Sequence, residues 1–444
     1  MLNLTGPSID SRFCDGVSRR SFLKVGSLGV GGLTLPQLLS AEERQGTKSS
    51  KSVIMVYLSG GISHQDTFDL KMEAPDEIRG EFQPIDTKLP GVQFCELLPQ
   101  LSQAADKFSV IRSVVGLSDE HSSFQNLTGY RMGVAQRDGK PTFGSVVSQL
   151  NGPLDSITPP FVDLFPTMKH QPYNSPDSGL LGPKYQAIKA DGEVLESMKL
   201  RYISADQFSR RRSLLQQLDD FRREADAAES LVTMNHTYSK AFDVLTSSKL
   251  VTALDVEQED PKVRERYGKG SPKHLGDGAP MWNDQLLQAR RLVEAGVRVV
   301  TVAYGFWDTH GNNFSHLRKH LPLFDTGISA LIEDIHSRGL QDDVTVLVWG
   351  EFGRTPKIND KAGRDHWARV SNALFSGGGL QPGQIIGATD KTGGEALDRP
   401  VHFHDVLSTA YHTLGISPDD RMLDTAGARL QILPPGVRPI RELI

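Results

Sequence analysis

A chain of 444 residues that is 38% hydrophobic and 23% charged carries enough apolar mass for a folded core and is no disordered polymer. Its net charge of −5 and pI near 6.2 exclude the basic surface that a nucleic-acid binder needs. Two cysteines, Cys14 and Cys95, make no disulfide framework, and the lack of a second long apolar run after the leader excludes a multi-pass membrane protein.

The leader comes first. Ser18-Arg19-Arg20-Ser21-Phe22-Leu23-Lys24 precedes a short, glycine-diluted apolar segment from Val25 to Leu39, and Ser40-Ala41 offers small residues for cleavage. Paired arginines in that setting predict a twin-arginine export signal over residues 1–41, hence a periplasmic or secreted protein. Residues 42–51 read as a polar linker, and a single α/β domain is expected over 52–444.

Within that domain Ser52–Leu58 is a short run of β-formers ending at Gly60-Gly61, Leu97–Asp106 reads as a short helix, and Phe108–Val115 reads as a second strand. Residues 151–200 are rich in proline and glycine and predict long loops, so that about 151–280 forms an irregular insertion. Inside it Gln207–Leu231 has the spacing of an amphipathic helix. Farther on, Trp282–Ala295 predicts a helix, Val297–Tyr304 a buried strand, His316–Arg338 a long helix, Val344–Trp349 another buried strand, and Asp405–Leu414 a last helix. Strand, long crossover helix and strand imply parallel pairing, so the expected fold is α/β, a mostly parallel sheet sandwiched by helices.

In such sheets functional groups gather beyond the carboxyl ends of the strands. The segments there hold His64, Asp66 and Asp69 after the first strand, Asp119, His121 and Ser122 after the second, Asp308 and His310 after the third, and Glu351 and Arg354 after the fourth. Arg364-Asp365-His366 follows shortly. Imidazole and carboxylate without thiolate suit a divalent metal, with zinc or manganese favoured and calcium or magnesium as alternatives. His316 and His320 share a helix with Arg318 and Lys319 and read as solvated, while His402 and His404 stand where a helix cap would be.

The longer motifs around these residues carry a resemblance. GGxSHxDTFD from Gly60, LTGY at Leu127–Tyr130, VRERYG at Val263–Gly268, ARRLVEAGVRVVTV at Ala289–Val302, WDTHGNNF at Trp307–Phe314, WGEFGRTP at Trp349–Pro356 and GRDHW at Gly363–Trp367 resemble the domain-of-unknown-function 1501 family. That is a group of exported bacterial proteins abundant in planctomycetes. The family in turn resembles the alkaline phosphatase and sulfatase superfamily, which implies an alkaline-phosphatase-like sheet and hydrolysis of phosphate or sulfate esters at one or two metals. Carried over, Asp66 (or Asp69), Asp308, His310, Glu351 and His366 would be metal ligands.

On the same basis His64 and His121 would act as orienting or acid–base groups, and Arg354 or Arg364 would grip the anion. The nucleophile position of the superfamily, nine residues before the threonine of Thr-Gly, falls on Asp119, which leaves either a metal-bound hydroxide or Ser122 activated by His121. The expected substrate is a small anionic ester or a sulfated or phosphorylated glycan. The rival expectation is a catalytically inactive protein that binds a glycan or protein partner on the same scaffold.

Overall fold

The computed structural model describes residues 50–155, 158–191 and 248–444. The export signal and the helix expected over 207–231 lie outside them.

The central sheet is built from β1 (Ser52–Ser59), β2 (Phe108–Val115), β3 (Phe161–Asp163), β4 (Ile188–Lys189), β5 (Val299–Phe306), β6 (Val344–Gly350), β7 (Ser371–Gly377), β8 (Ile385–Ile386) and β9 (Val401–His402). Their order is β8-β2-β7-β6-β1-β5-β3-β4, with β9 also on β2. Every pairing is parallel except those of β7, which runs against β6 and β2. The result is a mixed α/β fold with a mostly parallel sheet.

Strand β1 lies at the centre and is buried along its whole length, as its unbroken apolar run predicts. Its side chains alternate between two cores. Ile54, Val56 and Leu58 enter one, with residues of α2 (Asn283–Glu294) and α3 (Asn313–Ser337). Val53, Met55 and Tyr57 enter the other, with residues of α1 (Phe143–Leu150) and α4 (Phe403–Thr413). Helices therefore cover both faces.

The long helices and strands fall close to the expected bounds, while the predicted helix at Leu97–Asp106 shrinks. It begins at Pro99, a residue suited to a first helical turn, and gives way to a 3-10 turn at Ala105–Lys107. His402 caps α4, its Nδ1 accepting the His404 N–H at 3.3 Å. His316 and His320 are not the solvated pair their neighbours suggested. His320 is buried, His316 is half-buried, and their rings lie 4.4 Å apart beside Trp307.

Candidate metal centre

All of the chemistry-bearing segments leave the carboxyl edge of the sheet. The turn after β1 is made possible by Gly60 and Gly61, both at positive φ. A Cβ at Gly60 would stand 2.5 Å from the backbone nitrogen of Asp308, and one at Gly61 would meet the Phe352 ring at 2.6 Å. These two positions let the ends of β1, β5 and β6 close on one another.

His121, Asp308, His310 and His366 each offer one ligand atom within 4.8 Å of the others. Nε2 of His310 and Nε2 of His366 are 2.9 Å apart, and they lie 3.0 and 3.3 Å from Oδ1 of Asp308. The far side of each ring explains its orientation. His310 Nδ1 is 2.6 Å from Asp365 Oδ1, and His366 Nδ1 is 2.6 Å from Asp119 Oδ1. An ionised carboxylate only accepts, so each Nδ1 carries the proton and each Nε2 turns a bare lone pair inward. Two nitrogen lone pairs and a carboxylate oxygen converging at these distances call for a cation, so the donor set fits a divalent metal.

His121 is wired differently. Its Nδ1 is 2.6 Å from the phenol oxygen of Tyr173, and its Nε2 is 3.3 Å from Oδ2 of Asp308, the oxygen that does not face the other two rings. Burial lowers its basicity, but hydrogen bonds and charge from Asp308 and Glu351 outweigh this and push it up to about 9. Burial likewise opposes ionisation of Asp308, yet the hydrogen bond from His121 and the Arg354 charge hold its carboxyl far below the usual range. Phe352 packs its ring against both His121 and His366, at 5.3 and 4.5 Å between centroids.

The remaining expected residues occupy other positions. Asp66 is corrected from ligand to structural anion: Arg364 grips both its oxygens at 2.7 and 2.9 Å, and Ser63 and Asn313 donate to Oδ2. Asp69, its stand-in, is held by Lys71 and Thr389. The two arginines are not free to clamp a substrate. Arg364 also donates to the carbonyls of Thr355, Pro356 and Ile78. Arg354 is spent on Asp308 and on the carbonyls of Gly60, Gly61 and Arg364. Both guanidinium groups are fully buried.

His64 is buried too, its Nε2 2.7 Å from the carbonyl of Gly393, and burial lowers its pKa. Glu351 sits behind the cluster, accepting the Gly60 N–H at 2.7 Å and lying 3.5 Å from His121 Nδ1. Ser122 is buried and its Oγ accepts the Phe124 N–H at 3.1 Å, which ties it to the start of the short helix Phe124–Thr128.

Three contributors went unread in the sequence: Asp119 and Asp365 as orienting carboxylates, and Tyr173 on His121. Tyr173 belongs to a strap that fastens the His121 loop at several points. The Pro172 carbonyl accepts from Ser123 N at 3.0 Å, the Asn174 carbonyl from Ser123 Oγ at 2.7 Å, and His170 Nε2 is 3.1 Å from the His121 carbonyl. The beginning of the expected insertion thus forms one wall of the site.

A family model described as "Protein of unknown function (DUF1501)" matches residues 50–444. The chain belongs to that family. No curated protein matches this DUF1501 chain. Among solved structures it is similar to the PsFucS1 sulfatase from Pseudoalteromonas sp., at 11% identity over 86% of this chain and 70% of that one, with a TM-score of 0.34. It is also similar to a phosphonate monoester hydrolase from Silicibacter pomeroyi, at 11% identity over 88% and 76% with a TM-score of 0.35. A third is the lipoteichoic acid synthase LtaP from Listeria monocytogenes, at 10% identity over 88% and 76% with a TM-score of 0.38.

Proposed function

We propose that this DUF1501 chain is an exported, metal-dependent hydrolase of phosphate or sulfate esters, acting on a small anionic ester or on a sulfated or phosphorylated glycan. The observation that carries the reading is the pair of inward Nε2 atoms of His310 and His366, 2.9 Å apart beside Asp308, each ring set by a carboxylate behind it. Asp308, His310 and His366 would hold the ion, with zinc or manganese favoured by the donors.

A bound ion of this kind polarises an ester oxygen and lowers the pKa of water to about 7, so that no protein hydroxyl is needed as nucleophile. The chain's own groups do the rest. His121 Nε2, 3.3 Å from Asp308 Oδ2, is placed to hold the proton that passes to the leaving oxygen. Tyr173 keeps that ring in place through Nδ1, and Phe352 shields one side of both His121 and His366 from water.

Elemental analysis of the purified, exported protein after exchange into metal-free buffer and re-addition of zinc or manganese tests the reading. Retained metal that disappears in an Asp308→Ala, His366→Ala double variant, together with turnover in an ester screen, is the expected result. A folded chain that retains none under either condition overturns it. The rival, a non-catalytic binding protein, is favoured by Ser122 being tied to Phe124 N and by Asp119 standing where a nucleophile is expected. It predicts retained metal with no ester turned over.

A further inference from the structure

The three donors of the cluster outline a small triangle. Its edges measure 2.9 Å from His310 Nε2 to His366 Nε2, 3.0 Å from His310 Nε2 to Asp308 Oδ1, and 3.3 Å from His366 Nε2 to Asp308 Oδ1. An ion bonded to all three at about 2.1 Å would see them about 87°, 91° and 104° apart. At that bond length a tetrahedral shell needs every edge near about 3.4 Å, and the face of an octahedron needs about 3.0 Å. Two edges match the octahedral value and none reaches the tetrahedral one.

The triangle is held from behind, so an ion has little room to spread it. His310 Nδ1 is anchored on Asp365 and His366 Nδ1 on Asp119, each at 2.6 Å. Asp308 Oδ1 accepts from Arg354 Nη2 at 2.7 Å, while Oδ2 faces His121 Nε2 at 3.3 Å. With Oδ2 engaged there, Asp308 offers the triangle one oxygen, and His121 is turned to Asp308 instead of completing the set. The far side is open to solvent, where the His310 side chain is 46% exposed.

We infer that Asp308, His310 and His366 cap one face of a six-coordinate shell and leave the three opposite positions open, an arrangement that suits manganese(II) or iron(II) better than zinc. The inference rests on the metal-dependent hydrolase reading and says what its ion can take up. Three adjacent positions accept an ester oxygen and a water side by side. The single position left in a tetrahedral shell accepts one or the other. A site with no protein nucleophile in register needs both.

Affinity alone is a poor measure, because zinc outranks manganese at most nitrogen and oxygen sites, so the test reads the shell itself. Cobalt(II) reports it in the visible spectrum, with intense bands in a four-coordinate site and weak ones in a six-coordinate site. Relaxation of water protons by the manganese-loaded chain counts the open positions, and elemental analysis confirms the loading. Weak cobalt bands and about three exchangeable waters on manganese are expected. His121→Ala keeps both readouts, because that ring is not a ligand. Intense cobalt bands or a single exchangeable water overturns the inference. So does a water gained in His121→Ala, which makes that ring a fourth ligand. A folded chain that holds neither ion overturns the inference and the hydrolase reading together. The expected shell with no ester turned over sinks the hydrolase reading and leaves the six-coordinate site standing.

Discussion

Two carboxylate–arginine pairs with buried guanidinium groups lie within the same edge of the sheet and are built to different ends. In the loop after β1, Asp66 faces Arg364 with both oxygens, and the remaining capacity of each partner is filled by Ser63, Asn313 and backbone carbonyls. After β5, Asp308 meets Arg354 with one oxygen and leaves both oxygens within reach of imidazoles. The first pair is closed on itself and fastens one loop to another. The second is anchored on one side and open on the other, as a site that must accept a ligand has to be. The same two residue types after a strand therefore make a rivet in one place and a candidate ligand platform in the other, and the difference lies in whether any lone pair is left over.

The sharpest way to break this comparison is Arg364→Ala. It would strand the Asp66 carboxylate in a dry environment, at a cost of about 3–5 kcal/mol in urea denaturation, because the charge loses its partner and cannot reach water. A variant that denatures like the parent would show that Asp66 is not the closed pair its contacts describe. Asp119→Asn should leave the fold intact and weaken metal binding by about 10–100-fold in a chelator competition, since only the orientation and basicity of His366 change. Unfolding there with no change in metal affinity would reverse the assignment of the two regions.

A third carboxylate sharpens the scale between them. Asp325 of α3 accepts from the backbone N–H groups of Gln100 and Leu101 at 2.9 and 2.7 Å, capping the helix at Pro99–Gln103. Asp325→Ala should cost about 1 kcal/mol, up to about 2, in the same denaturation experiment, with metal content untouched.

What the sequence disclosed follows the same division. Strands β1, β2 and β6 were legible because a short run rich in β-formers, bounded by glycine or polar residues, has few other homes. The helix α1 was not: Phe143 to Ser148 are all buried, so no polar face marks a helical period. Strand β7, with serines and asparagine among its seven residues, lacks the apolar density that identified its neighbours.

In the site, Asp308, His310 and His366 were readable as motifs. The carboxylates behind the rings were not, because the pairing crosses the chain: Asp365 serves His310, 55 residues away, and its own neighbour His366 is served by Asp119. Asp66 was misread for the same reason. Its position after a strand is that of a ligand, and the arginine that claims it comes 298 residues later.

The placement of β1 also has a consequence in time. Ser52 pairs with Val344, and Val53 with Val299. The central strand of the sheet is thus the first of its strands to be synthesised, and its neighbours follow roughly 250–290 residues later. At about 5–20 residues per second, the segment SVIMVYL waits on the order of 15–60 s between its own synthesis and the arrival of its second partner. Long-range pairing of this kind is slow to form even once the chain is complete. During that interval seven β-forming residues with two potential pairing edges have no native strand to join, which leaves β1 open to non-native pairing while the chain is being made.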